Sequence, residues 1–247
     1  MLCNLGTKGK EVLCCLVNTT WRTSGVPKAW RTAQIIPLLK NGKPPGEAKS
    51  YRPISLTSCI GKLAERMVNN RLYWYLENSN SLNPHQAGFR KGSSTEDQLF
   101  KLSQDIQDGF QEKKHTVAIF VDLQQAYDRV WRKGLLKKMM DLGIHGKLYK
   151  WIKFFLTDRN IETKVNNALS SREVLEEGLP QGSCLSCTLF LIFFNDVTNV
   201  LKSEKTLYAD DLALWQTHHS TVVGAGKLNE DLKRLHNYCQ KWKLKIN

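Results

Sequence analysis

The sequence predicts an α+β fold, and three stretches carry that expectation. "HTVAIFVDLQQAYDRVW" (residues 115–131) opens on a continuously apolar run through Val117, Ile119 and Val121, the pattern of a strand buried on both faces, and turns helical after Asp122. "SCIGKLAERMVNNRLYWYLE" (58–77) places Ile60, Leu63, Met67, Val68, Leu72 and Tyr75 near helical spacing. "LYADDLALW" (207–215) is two short apolar strands meeting at an Ala-Asp-Asp bend.

The remaining elements follow in order. "WRTAQIIPLLKNGKPPG" (30–46) alternates apolar residues through Ile35, Ile36 and Leu38 and then meets Asn41-Gly42 and Pro44-Pro45-Gly46, so it reads as a strand entering an exposed basic turn. "SSTEDQLFKLSQDIQDGF" (93–110) begins with Ser93-x-x-Glu96, a capping box before a helix. The helical pattern after Asp122 continues through "LLKKMMDLG", with Gly143 as its C-cap. "GLPQGSCLSCTLFLIFFNDVTNVL" (178–201) reads as a Gly-Leu-Pro-Gln-Gly loop, Ser183 as N-cap, and a helix with Leu185, Leu189, Phe193, Val197 and Val200 on one side. No repeat, low-complexity tract or flexible linker separates these pieces, so any domains are interleaved or tightly apposed.

Composition narrows the function classes. The chain has 247 residues, 41% of them hydrophobic, enough for one large or two modest domains with a core. The longest apolar run, "LFLIFF", is too short to span a bilayer, so no membrane partner is expected. The first residues lack a signal peptide's pattern, and an opening that reads as mid-helix suggests a fragment. Lys and Arg number 36 against 23 Asp and Glu, a balance of +13 spread along the chain, which favours a polyanionic partner. Seven irregularly placed cysteines point to reduced thiols in an intracellular protein. Cys184 and Cys187 form a C-x-x-C with no second pair or His at ligand spacing, which argues against zinc.

Asp210 and Asp211 admit two readings. Asp tolerates tight turns, so the pair could be turn chemistry alone. Alternatively, two carboxylates between apolar flanks repel and lose solvation, so that one is protonated or a cation sits between them. Mg²⁺ suits such a site, being held by one or two carboxylates plus substrate phosphates. Asp122, at the end of its strand, is the third acid such a centre requires.

"FVDLQQAYD", "GLPQGSCLS" and "YADDL", in that order and spacing, resemble the three central motifs of reverse transcriptases. Upstream, "AWRTAQIIPLLKNGK", "YRPISLTSCIGKLAERMVNNRL" and "NPHQAGFRKGSSTEDQL" are similar to the finger motifs of the non-LTR, LINE-like branch, so the resemblance runs from about Trp21 to Asn247. It implies a right-hand polymerase architecture, with an antiparallel palm sheet packed on helices and a mixed α/β fingers subdomain. Residues 1–95 and 130–178 would form the fingers, and 96–129 and 179–247 a palm truncated at its C-terminal end. The implied activity is RNA-directed DNA synthesis serving retrotransposition.

Carried over residue by residue, Asp122 and Asp210 would be the main ligands of two Mg²⁺ ions, or Mn²⁺, with Asp211 secondary and the Leu123 carbonyl completing one sphere. Two such metals, about 3.5–4 Å apart, activate the attacking hydroxyl and hold the leaving pyrophosphate. Tyr127 matches the steric gate that excludes a 2′-hydroxyl, although an aromatic there also serves as core. Arg52 and Lys40 or Lys43 match residues that hold the triphosphate, a guanidinium fork suiting phosphate oxygens. Gln181 and Gly182 resemble the loop against the new base pair, and Gln86, Gly88, Phe89 and Arg90 resemble template contacts. Cys187 stands where the family usually has proline. The expected partners are an RNA template, a DNA primer and dNTPs. The chain is expected to belong to a longer polyprotein bearing thumb and endonuclease regions, working in cytoplasm and nucleus as a ribonucleoprotein. A catalytically inactive nucleic-acid-binding relic and a two-metal nuclease are the competing readings, the latter leaving the gate and the Pro-Gln-Gly loop without a purpose.

Overall fold

A computed structural model of the chain describes residues 4–247. In order, the elements are α1 (Thr7–Thr23), α2 (Lys28–Arg31), β1 (Thr32–Leu39), β2 (Tyr51–Leu56), α3 (Cys59–Asn78), α4 (Thr95–Gln111), β3 (His115–Val121), α5 (Arg132–Asp141) and α6 (Gly146–Leu156). They continue with β4 (Arg159–Val165), β5 (Ala168–Leu169), β6 (Glu173–Leu175), α7 (Cys184–Phe194), β7 (Glu204–Tyr208), β8 (Asp211–His218) and α8 (Thr221–Trp242). The chain thus mixes helices and sheets, as an α+β fold requires, and among the described residues no helix is long and apolar enough to cross a membrane. It divides into two compact units, Met1–Leu72 with Leu136–Ser186, and Tyr73–Leu135 with Cys187–Asn247.

The first unit is built on a mixed sheet of order β2-β1-β4-β5, with β6 also pairing β4. β1 and β2 run antiparallel (Ile36 opposite Ile54), while β1 and β4 run parallel (Ala33 opposite Ile161). Trp30, Ala33, Trp151, Phe155 and Leu156 are buried there. Trp151 stacks on Phe155 with ring centroids 5.6 Å apart and donates its indole N–H to Thr20 on α1 at 3.3 Å. A Cβ on Gly61 would meet the Trp30 ring at 3.1 Å, so glycine at this point of α3 lets the helix approach the indole.

The second unit holds an antiparallel sheet of order β3-β8-β7, with Ile119 opposite Leu214 and Leu207 opposite Leu212. Leu102 and Ile106 of α4 pack on Ala213 and Trp215. The other face meets α8, where a Cβ on Gly224 would lie 3.8 Å from Val117 and Gln216. β8 is therefore the buried centre. β3 departs from the expectation of burial on both faces: Val121 is buried, but Phe120 is 70% exposed. α4 covers Ala213 and Trp215 without reaching Phe120, and an apolar cleft of about 290 Å³ remains between Leu99, Leu102, Phe120 and Tyr208.

Three local expectations shift. The capping box of α4 sits one residue later: Ser94 Oγ accepts from Asp97 N–H at 3.2 Å, and the Asp97 carboxylate accepts from Ser94 N–H at 2.7 Å. Helix does not follow Asp122 directly, because residues 124–129 form turns with Gln125 at φ 52°, and α5 starts at Arg132. α7 is buried all round, not on one side, since Leu189, Phe190, Leu191, Ile192 and Phe193 are each at most 1% exposed; a 3-10 turn (Asn195–Val200) follows it. Two caps stand as read. Gly143 ends α5 at φ 77°, with the Ile144 N–H on the Met139 carbonyl at 2.9 Å, and Ser183 Oγ accepts from Ser186 N–H at the start of α7.

Candidate active site

Tyr208 pairs with Asp211, so β7 and β8 are joined by a loop of just two residues, Ala209 and Asp210. Such tight hairpins need a positive φ, and Ala209 supplies it at φ 58° without being glycine. The Asp210 side chain is half-buried and that of Asp211 exposed. On the neighbouring strand Val121 lies opposite Leu212, and the same register carried one residue further sets Asp122 opposite Asp211. The three acids, from segments nearly ninety residues apart (210 − 122 = 88), therefore gather at one end of one sheet. Burial pushes the Asp210 carboxyl above the usual range; its own backbone N–H opposes this, and the charges of Asp211 and Asp122 add to it.

Among the described residues no group of three His, Cys, Asp or Glu side chains stands close enough together to hold a metal ion by itself. The donors present are hard oxygens, and Mg²⁺ characteristically takes one or two carboxylates and completes its shell with water and substrate phosphates. The oxygen donors suit such an ion, and burial with the charges of Asp211 and Asp122 disfavours the Asp210 anion, a cost that a cation would relieve. Leu123 also fits. It forms an antiparallel bridge with Ile246 in which the flanking residues make the bonds, Asn247 N–H to the Asp122 carbonyl and Gln124 N–H to the Lys245 carbonyl. In that pattern the Leu123 carbonyl points away from the pairing.

Tyr127 follows in the turn segment. Its ring stacks on Phe190 of α7, centroids 4.8 Å apart and 20° from parallel. Burial raises its phenol, and the neighbouring Cys187 and Asp210 raise it further. The Tyr127 ring is thus packed in the core, with its phenol close enough to Cys187 and Asp210 to feel their charge.

The segment expected to touch template is largely engaged with the protein. Gln86 is 6% exposed. Its Oε1 accepts from the N–H groups of Gly88 and Ala209, each at 2.8 Å, and its Nε2 donates to the Ala209 carbonyl at 3.0 Å. A Cβ on Gly88 would fall 2.1 Å from the Ala209 nitrogen, so only glycine fits. Arg90 forks onto Glu77 at 3.0 and 2.7 Å and donates to the Asn83 and Gln86 carbonyls. Of the four, Phe89 alone presents a large side chain outward, 48% exposed at φ 58°.

The other expected nucleotide ligands belong to the first unit. Arg52 and Lys43 are exposed, and Arg52 faces Leu38 across the β1–β2 ladder. Lys40 is half-buried, its ammonium donating to the Lys49 carbonyl at 2.9 Å. The Pro-Gln-Gly loop lies along β2: Ser55 N–H donates to the Gln181 carbonyl at 3.2 Å, and Gly182 adopts φ 96° beside the Ser55 carbonyl. Behind it is a group absent from the sequence reading, Glu65. This carboxyl is 2% exposed, accepts from the Ser183 hydroxyl, and is raised by burial against the lowering influence of Ser183 and Arg159. A glutamate inside the apolar face of "LAERMV" was its signal.

Residues 38–247 match the family model described as reverse transcriptase (RNA-dependent DNA polymerase). The chain is 36% identical to a probable RNA-directed DNA polymerase from transposon BS of Drosophila melanogaster, across 100% of this chain and 28% of that protein. It is 34% identical to the RNA-directed DNA polymerase from mobile element jockey of the same organism, across 96% of this chain and 27% of that protein. The chain therefore spans little more than a quarter of the length of these curated relatives. Among solved structures, a telomerase from Candida tropicalis in complex with a TWJ fragment of telomeric RNA superposes with a TM-score of 0.64, covering 97% of this chain and 44% of that one. At 12% identity that likeness is one of fold. By the match over most of its length and by its retrotransposon relatives, the chain belongs to the reverse transcriptase family.

Proposed function

We propose that the chain is the fingers and palm portion of an RNA-directed DNA polymerase of a non-LTR retrotransposon, extending a DNA primer on an RNA template. The observation that carries this reading is the gathering of three acids at one sheet end: Asp122 follows directly on Val121, which pairs with Leu212, Asp210 sits in the two-residue loop, and the charges of Asp211 and Asp122 both bear on Asp210. Residues 1–95 and 130–178 would serve as fingers, and 96–129 and 179–247 as palm. The natural protein would be a longer polyprotein acting in an intracellular ribonucleoprotein.

In this reading Asp122 and Asp210 hold two divalent cations, with Asp211 secondary and the Leu123 carbonyl as a further donor. Bound there, the ions supply Lewis acidity that makes the primer 3′-hydroxyl a nucleophile and neutralises charge on the leaving pyrophosphate. The protein's part is positional. Arg52, with Lys40 or Lys43, orients the triphosphate. Tyr127, its ring fixed on Phe190, lies beneath the incoming sugar and excludes a 2′-hydroxyl. Gln181 and Gly182 support the nascent base pair, and Phe89 with Gly88 meets the template.

Primer extension tests this reading, with RNA and DNA templates, Mg²⁺ or Mn²⁺, and two proteins: this chain, and this chain within its natural polyprotein. RNA-templated, dNTP-dependent extension that Asp210→Asn abolishes is the expected result. Failure of both proteins to extend any primer they bind would overturn it.

A further inference from the structure

The Ala209-Asp210 loop has a support that the family's chemistry does not require. Alanine at φ 58° is disfavoured and persists only where its surroundings over-determine it. Here they do. The Leu207 N–H donates to the His85 carbonyl and the Ala87 N–H to the Leu207 carbonyl, both at 2.9 Å, so residues 85–87 run as a parallel bridge along the outer edge of β7. One residue pair further on, the Gln86 side chain takes over from the backbone, accepting from the Ala209 N–H at 2.8 Å and donating to its carbonyl at 3.0 Å. Gly88 N–H fixes the same Oε1 at 2.8 Å and thereby orients the amide.

We propose that Gln86 is a positioning residue: its buried carboxamide locks both polar groups of the Ala209 peptide and so fixes where the Asp210 carboxylate stands. Unlike an ionised glutamate, which only accepts, a carboxamide of this length offers an acceptor and a donor together. Glutamate keeps the two accepted N–H bonds but sets negative charge against the Ala209 carbonyl, and methionine offers neither bond. This inference rests on the reading of Asp210 as a metal ligand, and the experiment separates the two.

The test uses the chain in metal-free buffer, with Mn²⁺ added as the probe and its binding followed by electron paramagnetic resonance. Amide hydrogen exchange is read at Ala209 and, as a control for the fold, at Leu214 and Trp215. In Gln86→Met the Ala209 amide should exchange at least about tenfold faster while the β8 amides hold, and Mn²⁺ affinity should fall about 10–100-fold, as for a lost outer-shell partner. Unchanged exchange at Ala209 and unchanged Mn²⁺ affinity would overturn the proposal. Should Gln86→Met not fold, Gln86→Glu decides. An added carboxylate by simple attraction tightens a cation, whereas a displaced Asp210 loosens it, so weaker Mn²⁺ binding supports positioning, and equal or tighter binding refutes it. Asp210→Asn is the separate control: if it binds Mn²⁺ as wild type does, the active-site reading fails, whatever Gln86 does.

Discussion

Asn247 holds Asp122 twice, its backbone N–H on the Asp122 carbonyl and its side-chain amide on the Asp122 carboxylate, each at 2.9 Å. The residues following α8 are therefore part of the wall of the acidic site. Asn247→Leu removes the side-chain bond while leaving the backbone one. We expect unchanged global stability and a loss of about tenfold in Mn²⁺ affinity, the scale of outer-shell substitutions at metal sites. Titration of the variant beside wild type checks it.

Asp210 ties pH dependence to the site. Burial first, then Asp211 and Asp122, raise its carboxyl in the fold. A carboxyl with a higher pKa folded than unfolded contributes full stability below its unfolded value of about 3.9 and loses that contribution as pH rises through the folded value. Metal-free Asp210→Asn should thus withstand more urea than wild type at pH 7, with the gap closing below about pH 4. Its polymerase activity should drop at least about a hundredfold, about 2.7 kcal/mol in barrier. Urea midpoints across pH and single-turnover incorporation measure the two effects.

If Tyr127 is the proposed gate, Tyr127→Val opens the space under the incoming sugar, and it removes the ring stacked on Phe190. The expected outcome is weaker discrimination against ribonucleotides, together with a loss of about 2–4 kcal/mol in stability from the vacated core. Tyr127→Phe keeps the ring and should retain discrimination. Competition between dNTP and rNTP, alongside denaturation curves, distinguishes a gate from core filling.

Arg90 offers a direct contrast between template contact and internal support. Its fork on Glu77 raises the guanidinium and lowers the carboxylate, and both side chains are substantially covered, 20% and 30% exposed. Arg90→Ala should destabilise the protein by about 1–3 kcal/mol, because Glu77 and the Asn83 and Gln86 carbonyls each lose a charged donor. Glu77→Gln should reproduce part of that loss. If neither variant changes the unfolding midpoint and Arg90→Ala weakens only template binding, the guanidinium acts on nucleic acid instead.

The parts of this molecule legible in its sequence are those with local causes. β3 and β8 are announced by their apolar runs, and the hairpin by two residues between them; the three acids then follow from where the runs end. Gly143 and Ser183 were readable because a cap depends on neighbours a few positions away. Other features depend on distant chain. Phe120 is exposed because a cleft stays open between it and the first turns of α4, and no period in β3 encodes that. Helical spacing around Gln125 is undone by a single positive φ. Gln86 is buried because its amide satisfies a peptide 123 residues away, and a polar residue in a Gly-containing segment carries no mark of that fate. Motif resemblance pointed to the segment and implied template contacts there, but it carries no mark of the bonds that Gln86 and Arg90 make within the protein.

The parallel pairing of β1 with β4 has a consequence during synthesis. Ala33 meets Ile161, so 128 residues (161 − 33) must leave the ribosome before the open edge of β1 finds its neighbour. At about 5–20 residues per second that interval is roughly 6–26 s. Throughout it, the β1–β2 hairpin must wait with Ile35, Ile36 and Leu38 on a bare edge, a ready template for another chain. The waiting hairpin ends in the turn carrying Lys40 and Lys43, flanked by Pro44 and Pro45. Positive charge and proline beside an unpaired edge are the features that discourage strand-to-strand association between nascent chains. A turn read as a phosphate clamp can therefore also guard the newborn protein against aggregation.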